Sequence, residues 1–395
     1  MIKRFRVQNY KALRDVTLEL TPLHVLIGPN DSGKTSILEA IAALCRTVDH
    51  RVTEAFTGLW EGTELVWRGS RDAVVTFEVN ADEFGSEDYE YGLACKFGDQ
   101  THGCVIKEEF FRFASEQPSS SSPRSEDRSW AYSFFIEGEP VSGNVKERAR
   151  MVHDALAGVH YYCWNPRHLA LPVAPDSKRR FRMESSGFGL ALCLDDILGF
   201  DRDRFTSLEA RFRLVFPQIG SIKLLPQSAF RTRADDPRQI LILEKAEGKG
   251  IYFQFSGVDQ LVPASQTSDG VLLVLAYLAI LYLPKPPRVV LVEEPENGIH
   301  PKRLQDVLTV LRELVGEQSH TQVILTTHSP YVLDLFKPEE VTLCQKMPDG
   351  SVSVHRLSES ATVREQLDVF TLGEIWTAEG DEALAKSDSD RVHES

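Results

Sequence analysis

The apolar positions change period several times along the first 45 residues. Phe5-Arg6-Val7 and Val16-Thr17-Leu18-Glu19-Leu20 alternate with polar positions, the pattern of half-buried strands. Val25-Leu26-Ile27 is apolar throughout and reads as a buried strand. Ser36-Ile37-Leu38-Glu39-Ala40-Ile41-Ala42-Ala43-Leu44 then reads as a helix. From about 60 to 145, short alternating stretches separated by Gly, Asp and Ser predict an antiparallel β region; they run Val74 to Val79, Tyr91 to Phe97, Cys104 to Phe113 and Tyr132 to Ile136. Ser115 to Ser129 (SEQPSSSSPRSEDRS) lacks apolar residues and predicts a mobile loop. Residues 145–157 predict a helix, Val159 to Trp164 a strand, 187–216 two helices ending near Pro217, and Ile222 to Phe255 a return to strands.

The last third is the most apolar. Val271 to Leu283 is a thirteen-residue apolar run closed by Pro284, too short for the roughly 20 residues a bilayer needs, and reads as a buried core helix. A buried strand at 289–292 follows, then an amphipathic helix with Leu304, Val307, Leu308, Leu311 and Leu314 on one face. Strands at 323–326 and 341–344 finish the core, and the polar tail after about 378 is expected to fray. The expected fold is therefore α/β: a mixed sheet with flanking helices, interrupted by an antiparallel β-rich and helical insertion. The expected divisions are 1–60 for the N-terminal lobe, 61–184 for the insertion, 185–262 for a helical and β region, 263–377 for the rest of the core, and 378–395 for the tail.

Composition narrows the class. The chain has 395 residues and a formal net charge of −14, so its whole surface does not attract nucleic acid. Two short basic groups stand out: Lys3, Arg4, Arg6, Lys11 and Arg14, and Lys178-Arg179-Arg180-Phe181-Arg182. Each reads either as a solvated face or as a local DNA contact. Six scattered cysteines form no C-x-x-C pair, which suggests neither a zinc site nor a thioredoxin-like motif, and a reducing cytoplasm is the expected compartment.

The chemistry is concentrated in four places. Gly28-Pro29-Asn30-Asp31-Ser32-Gly33-Lys34-Thr35 has the spacing G-x-x-x-x-G-K-[ST], and it lies between a strand and a helix. The glycines let backbone N–H groups face phosphates, Lys34 reaches the β- and γ-phosphates, and the Thr35 hydroxyl serves Mg²⁺. Val289-Val290-Leu291-Val292-Glu293-Glu294-Pro295-Glu296 is an apolar strand ending in carboxylates. There Glu293 would steady Mg²⁺ and Glu294 would orient the attacking water. Thr326-Thr327-His328-Ser329-Pro330 follows the next apolar strand, and His328 either reports the γ-phosphate or is an ordinary histidine. Ser265 to Gly270 precedes the long apolar helix, where Ser268, Asp269 and Gly270 form either an anion site or a plain N-cap.

Together these elements resemble the ABC-type ATPases, in the branch that holds the RecF, SMC-like and OLD-family proteins. Ile2 to Lys11 looks like that branch's first strand, Glu293 to Pro301 like its Walker B and D-loop, Ser268-Asp269-Gly270 like its signature, and Thr327-His328-Ser329 like its switch. The likeness covers roughly 1–45 and 185–335. It implies ATP and Mg²⁺ as cofactors, ATP bound by residues 28–36 including Ser36, and hydrolysis carried by Glu294, Lys34 and His328. It also implies a homodimer, or a higher even oligomer, in which Ser268, Asp269 and Gly270 clamp the partner's nucleotide. Asp31 departs from the pattern, since many relatives have glycine there.

About 65 residues follow His328, too few for the Toprim nuclease of the OLD family. The expected function is an ATP-gated switch that controls a separately encoded effector, a nuclease or toxin, in bacterial antiphage defence. The alternative is a RecF-like DNA-repair ATPase that clamps duplex DNA. No membrane partner is expected.

Overall fold

The computed structural model describes residues 1–48, 50–56, 62–82, 88–98, 103–113, 153–176, 180–232, 243–316 and 321–386. The expected loop 115–129, the strand 132–136, residues 145–152 of the expected helix, and Lys178 and Arg179 lie outside them; residues 153–157 are helical.

Three sheets carry the chain. The first is antiparallel and contains β1 (Ile2–Tyr10), β2 (Leu13–Glu19), β4 (Val74–Asp82), β5 (Asp88–Phe97) and β6 (Cys104–Phe113), in the order β2-β1-β4-β5-β6. Residues 74–113 thus hydrogen-bond onto the N-terminal hairpin, with Phe5 opposite Val79 and Val7 opposite Phe77. The second sheet is formed by β3 (Leu23–Ile27), β7 (Val159–Tyr162), β11 (Val289–Glu293), β12 (Gln322–Thr326), β13 (Val341–Lys346) and β14 (Val352–Arg356). Its order is β14-β13-β3-β12-β11-β7; every pairing is parallel except the edge hairpin β13–β14. The third sheet packs β8 (Ile219–Thr232), β9 (Leu243–Phe255) and β10 (Leu261–Pro263) antiparallel.

The helices are α1 (Lys34–Arg46), α2 (Val52–Ala55), α3 (Pro166–Leu169), α4 (Leu190–Phe200), α5 (Arg202–Val215), α6 (Asp269–Leu281), α7 (Pro301–Val315), α8 (Pro330–Leu333), α9 (Ala361–Gln366) and α10 (Leu372–Leu384). The unbroken apolar runs of the parallel strands have a direct cause. Leu23, Val25, Ile27, Val290, Val292, Val323 and Leu325 enter one core, with α4 to α7. Leu26, Val289, Leu291 and Ile324 enter the other, between α1 and the antiparallel sheet. Alternate side chains of a strand point to opposite faces, and here both faces are dry.

Gln322 joins the two layers. Its amide accepts from the Ile2 N–H at 2.9 Å and donates to the Ile2 carbonyl at 2.8 Å and the Thr21 carbonyl at 3.1 Å. The expected buried helix is α6, whose residues from Val271 to Ile280 are all buried. The C-terminal end differs from expectation. Residues 378–384 are not a tail: the chain kinks at Gly380 (φ +76°) and runs on to Leu384, which inserts into the core, while the Ala383 carbonyl accepts from the Thr362 hydroxyl at 3.1 Å.

Candidate nucleotide site

Parallel registration brings three chain segments to one sheet edge. Glu293 lies opposite Thr326, and Thr326 opposite Leu26, so the carboxylate pair, the histidine turn and the phosphate loop leave adjacent strands at the same end. Ligands collect at the carboxyl ends of such strands.

The loop is shaped by its backbone. Gly28 has φ +137°, and a Cβ there would come 2.2 Å from the Cys344 carbonyl oxygen. Gly33 has φ +89°, and a Cβ there would come 2.5 Å from Val352 Cγ2. Both contacts are made by the β13–β14 hairpin, which is seated on the loop. Asp31 also has positive φ, 67°, and pairs with Lys346 of β13. Gly33 starts α1 without a side-chain cap, so the first-turn N–H groups receive no cap bond from their N-cap residue. Lys34 is 5 % exposed. Its ammonium donates to the Gly28 and Pro29 carbonyls at 2.8 Å each and to Ser32 Oγ at 3.3 Å, with no ion pair among the described residues. Burial pushes its pKa down. A buried cation held only by neutral acceptors fits an incoming phosphate. Thr35 is exposed in the first turn of α1, Ser36 is half-buried beside it, and Pro29 and Asn30 form the open rim.

Glu293 is held from a neighbouring strand. The Tyr161 hydroxyl of β7 donates to its Oε1 at 2.7 Å, and burial with that carboxylate alongside pushes the phenol well above its usual range, so it stays a donor. Glu294 has φ +43°, a left-handed conformation for a residue with a side chain. Its N–H donates to the Thr326 carbonyl at 3.1 Å, and its Oε2 accepts from Asn297 Nδ2 at 2.5 Å. His328 Nε2 lies 2.9 Å from Glu294 Oε1. The Thr327 hydroxyl and the His328 N–H both donate to Glu296 Oε1, at 2.6 and 3.0 Å. The other oxygen of Glu296 is buried without a partner among the described residues. The carboxylate of Glu293 and the hydroxyl of Thr35 are hard oxygen donors that suit Mg²⁺.

Ser268, Asp269 and Gly270 open α6 and are not hydrogen-bonded to the phosphate loop of their own chain. They adjoin the turn after Glu296 instead: a Cβ on Gly298 would come 3.2 Å from Asp269 Cβ. Ser268 is the N-cap but makes no side-chain cap bond, and it and Asp269 are exposed. Asn297 entered only as part of the Glu293 to Pro301 stretch, and Tyr161 and Lys346 were not singled out from the sequence. No local signal marks Tyr161 or Lys346, because each reaches the site through strand order.

The N-terminal basic group proves neutralised. Lys3 pairs with Asp82 and Asp88 at 3.2 and 2.6 Å, Arg4 with Glu19 at 3.5 Å, Arg6 with Asp15 and Glu78 at 2.9 and 3.6 Å, Lys11 with Glu39, and Arg14 with Asp349 at 3.4 Å. Of the second group, Arg180 pairs with Asp196 at 3.6 Å, while Arg182 is exposed.

A parallel sheet with a phosphate loop at β3, carboxylates at β11 and a histidine turn at β12, flanked by an antiparallel sheet, defines an ABC-type ATPase core of the SMC-head kind. Among solved structures, the chain is similar to an SMC head bound to the C-winged helix domain of ScpA, with TM-score 0.51 and 14 % identity over 89 % of this chain and 96 % of that one. Residues 23–334 match the family described as "AAA domain, putative AbiEii toxin, Type IV TA system", and the protein belongs to that family. It is also similar to the OLD nuclease of Thermus scotoductus, 23 % identical over 375 residues. That alignment covers 91 % of this chain and 65 % of the relative, so the chain spans about two thirds of that protein's length. No helix among the described residues is long and apolar enough to cross a membrane.

Proposed function

We propose that the protein hydrolyses ATP and acts as an ATP-gated homodimeric switch that controls a separately encoded effector, a nuclease, in bacterial antiphage defence. The observation that carries the reading is the joint placement of Glu294 and His328, 2.9 Å apart, one strand from a phosphate loop whose lysine is buried without a counter-ion among the described residues. In this reading residues 1–60 and 263–377 supply the catalytic parts. The backbone of Gly28 to Gly33 and the Lys34 ammonium bind the triphosphate, and Ser36 completes the first turn beneath it. Thr35 and Glu293 would hold Mg²⁺, which would supply positive charge against the phosphate oxygens. Glu294 orients the attacking water, and His328, already on that carboxylate, registers the γ-phosphate. Ser268 and Asp269, both exposed, and Gly270 beside them meet the nucleotide of a second copy.

The decisive experiment uses Glu294→Gln and Lys34→Ala with Mg²⁺ and ATP. Glu294→Gln keeps a hydrogen-bonding group of the same shape, so it is expected to retain ATP, turn over about 10²-fold or more slowly, and accumulate as a dimer. Lys34→Ala is expected to lose ATP binding. Wild-type turnover in Glu294→Gln would sink the assignment of that residue, and failure of the wild-type protein to bind ATP would sink the whole reading. Duplex DNA added to the same assay tests the clamp: stimulation that falls steeply with salt would favour it.

A further inference from the structure

Four large apolar side chains stand in water on α8 and on the turn between α9 and α10. Val369 is 76 % exposed, Tyr331 66 %, Phe370 51 % and Leu367 40 %. Leu367, Val369 and Phe370 belong to the tight turn between α9 and α10, where the Val369 and Phe370 N–H groups both donate to the Gln366 carbonyl at 3.0 Å. Tyr331 lies on α8, and the start of α10 is seated on that helix. The Gly373 N–H donates to Asp334 Oδ1 at 2.7 Å, and a Cβ on Gly373 would come 2.4 Å from the Pro330 carbonyl. The turn is not a frayed end: Thr371 and Glu374 close a capping box on α10, and Leu372 and Ile375 are buried directly after it. Isolated exposed apolar residues are ordinary, but three large ones within the four residues 367–370 of a braced turn mark an interaction site.

The surround is acidic. Between residues 361 and 382 the chain carries six carboxylates and one cation, Arg364. Glu365, Asp368, Glu374 and Glu379 are exposed among them, and Asp334 is exposed on the α8 side.

We propose that Tyr331, Leu367, Val369 and Phe370 form the docking surface for a partner protein that presents an amphipathic helix with an apolar stripe flanked by Lys and Arg. Charge complementarity selects this occupant. A second copy would set one acidic rim against another. The chain's own residues 387–395 carry Asp388, Asp390 and Glu394 against Arg391, and are repelled for the same reason. The surface is two residues of chain from the nucleotide site: His328 is followed by Ser329, the N-cap of α8, and α8 carries Tyr331. ATP control of the contact rests on the switch reading above; the contact itself does not.

The probe is a fluorescein-labelled helical peptide of Leu and Lys in amphipathic spacing, followed by anisotropy, with a Leu and Glu peptide of the same pattern as control. Wild-type protein is expected to bind the Lys peptide and not the Glu peptide. The double substitution Val369→Ser, Phe370→Ser should weaken binding by about tenfold or more. Glu365→Lys with Asp368→Lys should weaken it similarly. Both variants change exposed positions, so their melting temperature and ATP turnover should stay at the wild-type level. No binding by the wild type, or equal binding by the Val369→Ser, Phe370→Ser variant, overturns the proposal. So does a wild-type oligomer that this variant dissociates, since the face would then join copies of the chain. Peptide binding in a protein that fails to turn over ATP would sink the switch reading and leave the docking surface standing.

Discussion

Gly33 offers a test of how the edge hairpin shapes the phosphate loop. The substitution Gly33→Ala adds one methyl group at φ +89°, 2.5 Å from Val352 Cγ2 and 3.3 Å from Cγ1. The left-handed backbone costs an L-residue about 1–2 kcal/mol. The contact must also push Val352 aside, and Val352 is 4 % exposed in a packed core, so overpacking adds about 1–3 kcal/mol. The expected loss is therefore about 2–5 kcal/mol, with weakened ATP binding as the loop distorts. Val352→Ala alone removes two buried methyl groups and should cost about 1.5–3 kcal/mol. In the double variant the methyl has room, so only the backbone penalty is added to the Val352→Ala cost. The two changes should fall short of additivity by about 1–3 kcal/mol, and ATP affinity should partly recover. Gly257→Ala is the control: φ is +79° with nothing within 4 Å, so only the backbone penalty applies. Urea unfolding followed by tryptophan fluorescence gives the energies, and titration with a fluorescent ATP analogue gives the affinities. Additivity within about 0.5 kcal/mol would show that the hairpin does not seat the loop and would refute the reasoning.

Two further outcomes are expected. Lys346→Ala leaves the Asp31 carboxylate unneutralised on the rim of the phosphate loop, so ATP should bind several-fold, up to about tenfold, more weakly, chiefly at low salt; adding Asp31→Gly should restore affinity, and a double variant as weak as Lys346→Ala alone would reject the role. Burial holds His24 near a pKa of about 3 and His160 near about 4, against the ordinary 6.5, with the positive charges of Arg356 and Arg182 adding to the respective shifts. Both are therefore neutral in the fold at pH 5, where the unfolded chain protonates them. Their contribution is complete above pH 6.5 and is lost as pH falls toward 4 for His160 and 3 for His24, by up to about 1.4 kcal/mol per pH unit for each group. Urea midpoints at several pH values between 6.5 and 4.5 should fall with acid, and less steeply in His24→Gln; an unchanged slope in that variant would count against the buried neutral imidazole.

Much of the site was legible because its chemistry is local. The spacing from Gly28 to Thr35 makes a phosphate loop wherever it follows a buried strand, since its function resides in consecutive backbone groups. Val289 to Glu294 shows the same economy, an apolar run ending in acid. Tyr161 could not be found this way. It donates to Glu293 across 132 positions, and only the parallel pairing of β7 with β11 brings it there. The N-terminal cations left two readings open for a related reason. As a string they form a basic group, yet the partners of Arg6 include Asp15 across one strand pair and Glu78 across another.

The sequence by itself determined the elements and the local motifs, because hydrophobic period and glycine spacing act within a few residues. It marked Gly28, Gly33 and Lys34 by local spacing, while Glu293, Glu294 and His328 stood out only in company with that loop. The tertiary structure alone decided which strands are neighbours, and with them every contact between remote segments. The order β13-β3-β12-β11-β7 sets the hairpin on the loop, His328 on Glu294 and Tyr161 on Glu293. Apolar strands buried on both faces are nearly interchangeable in composition, so their order is settled only when helices, connections and two cores pack at once.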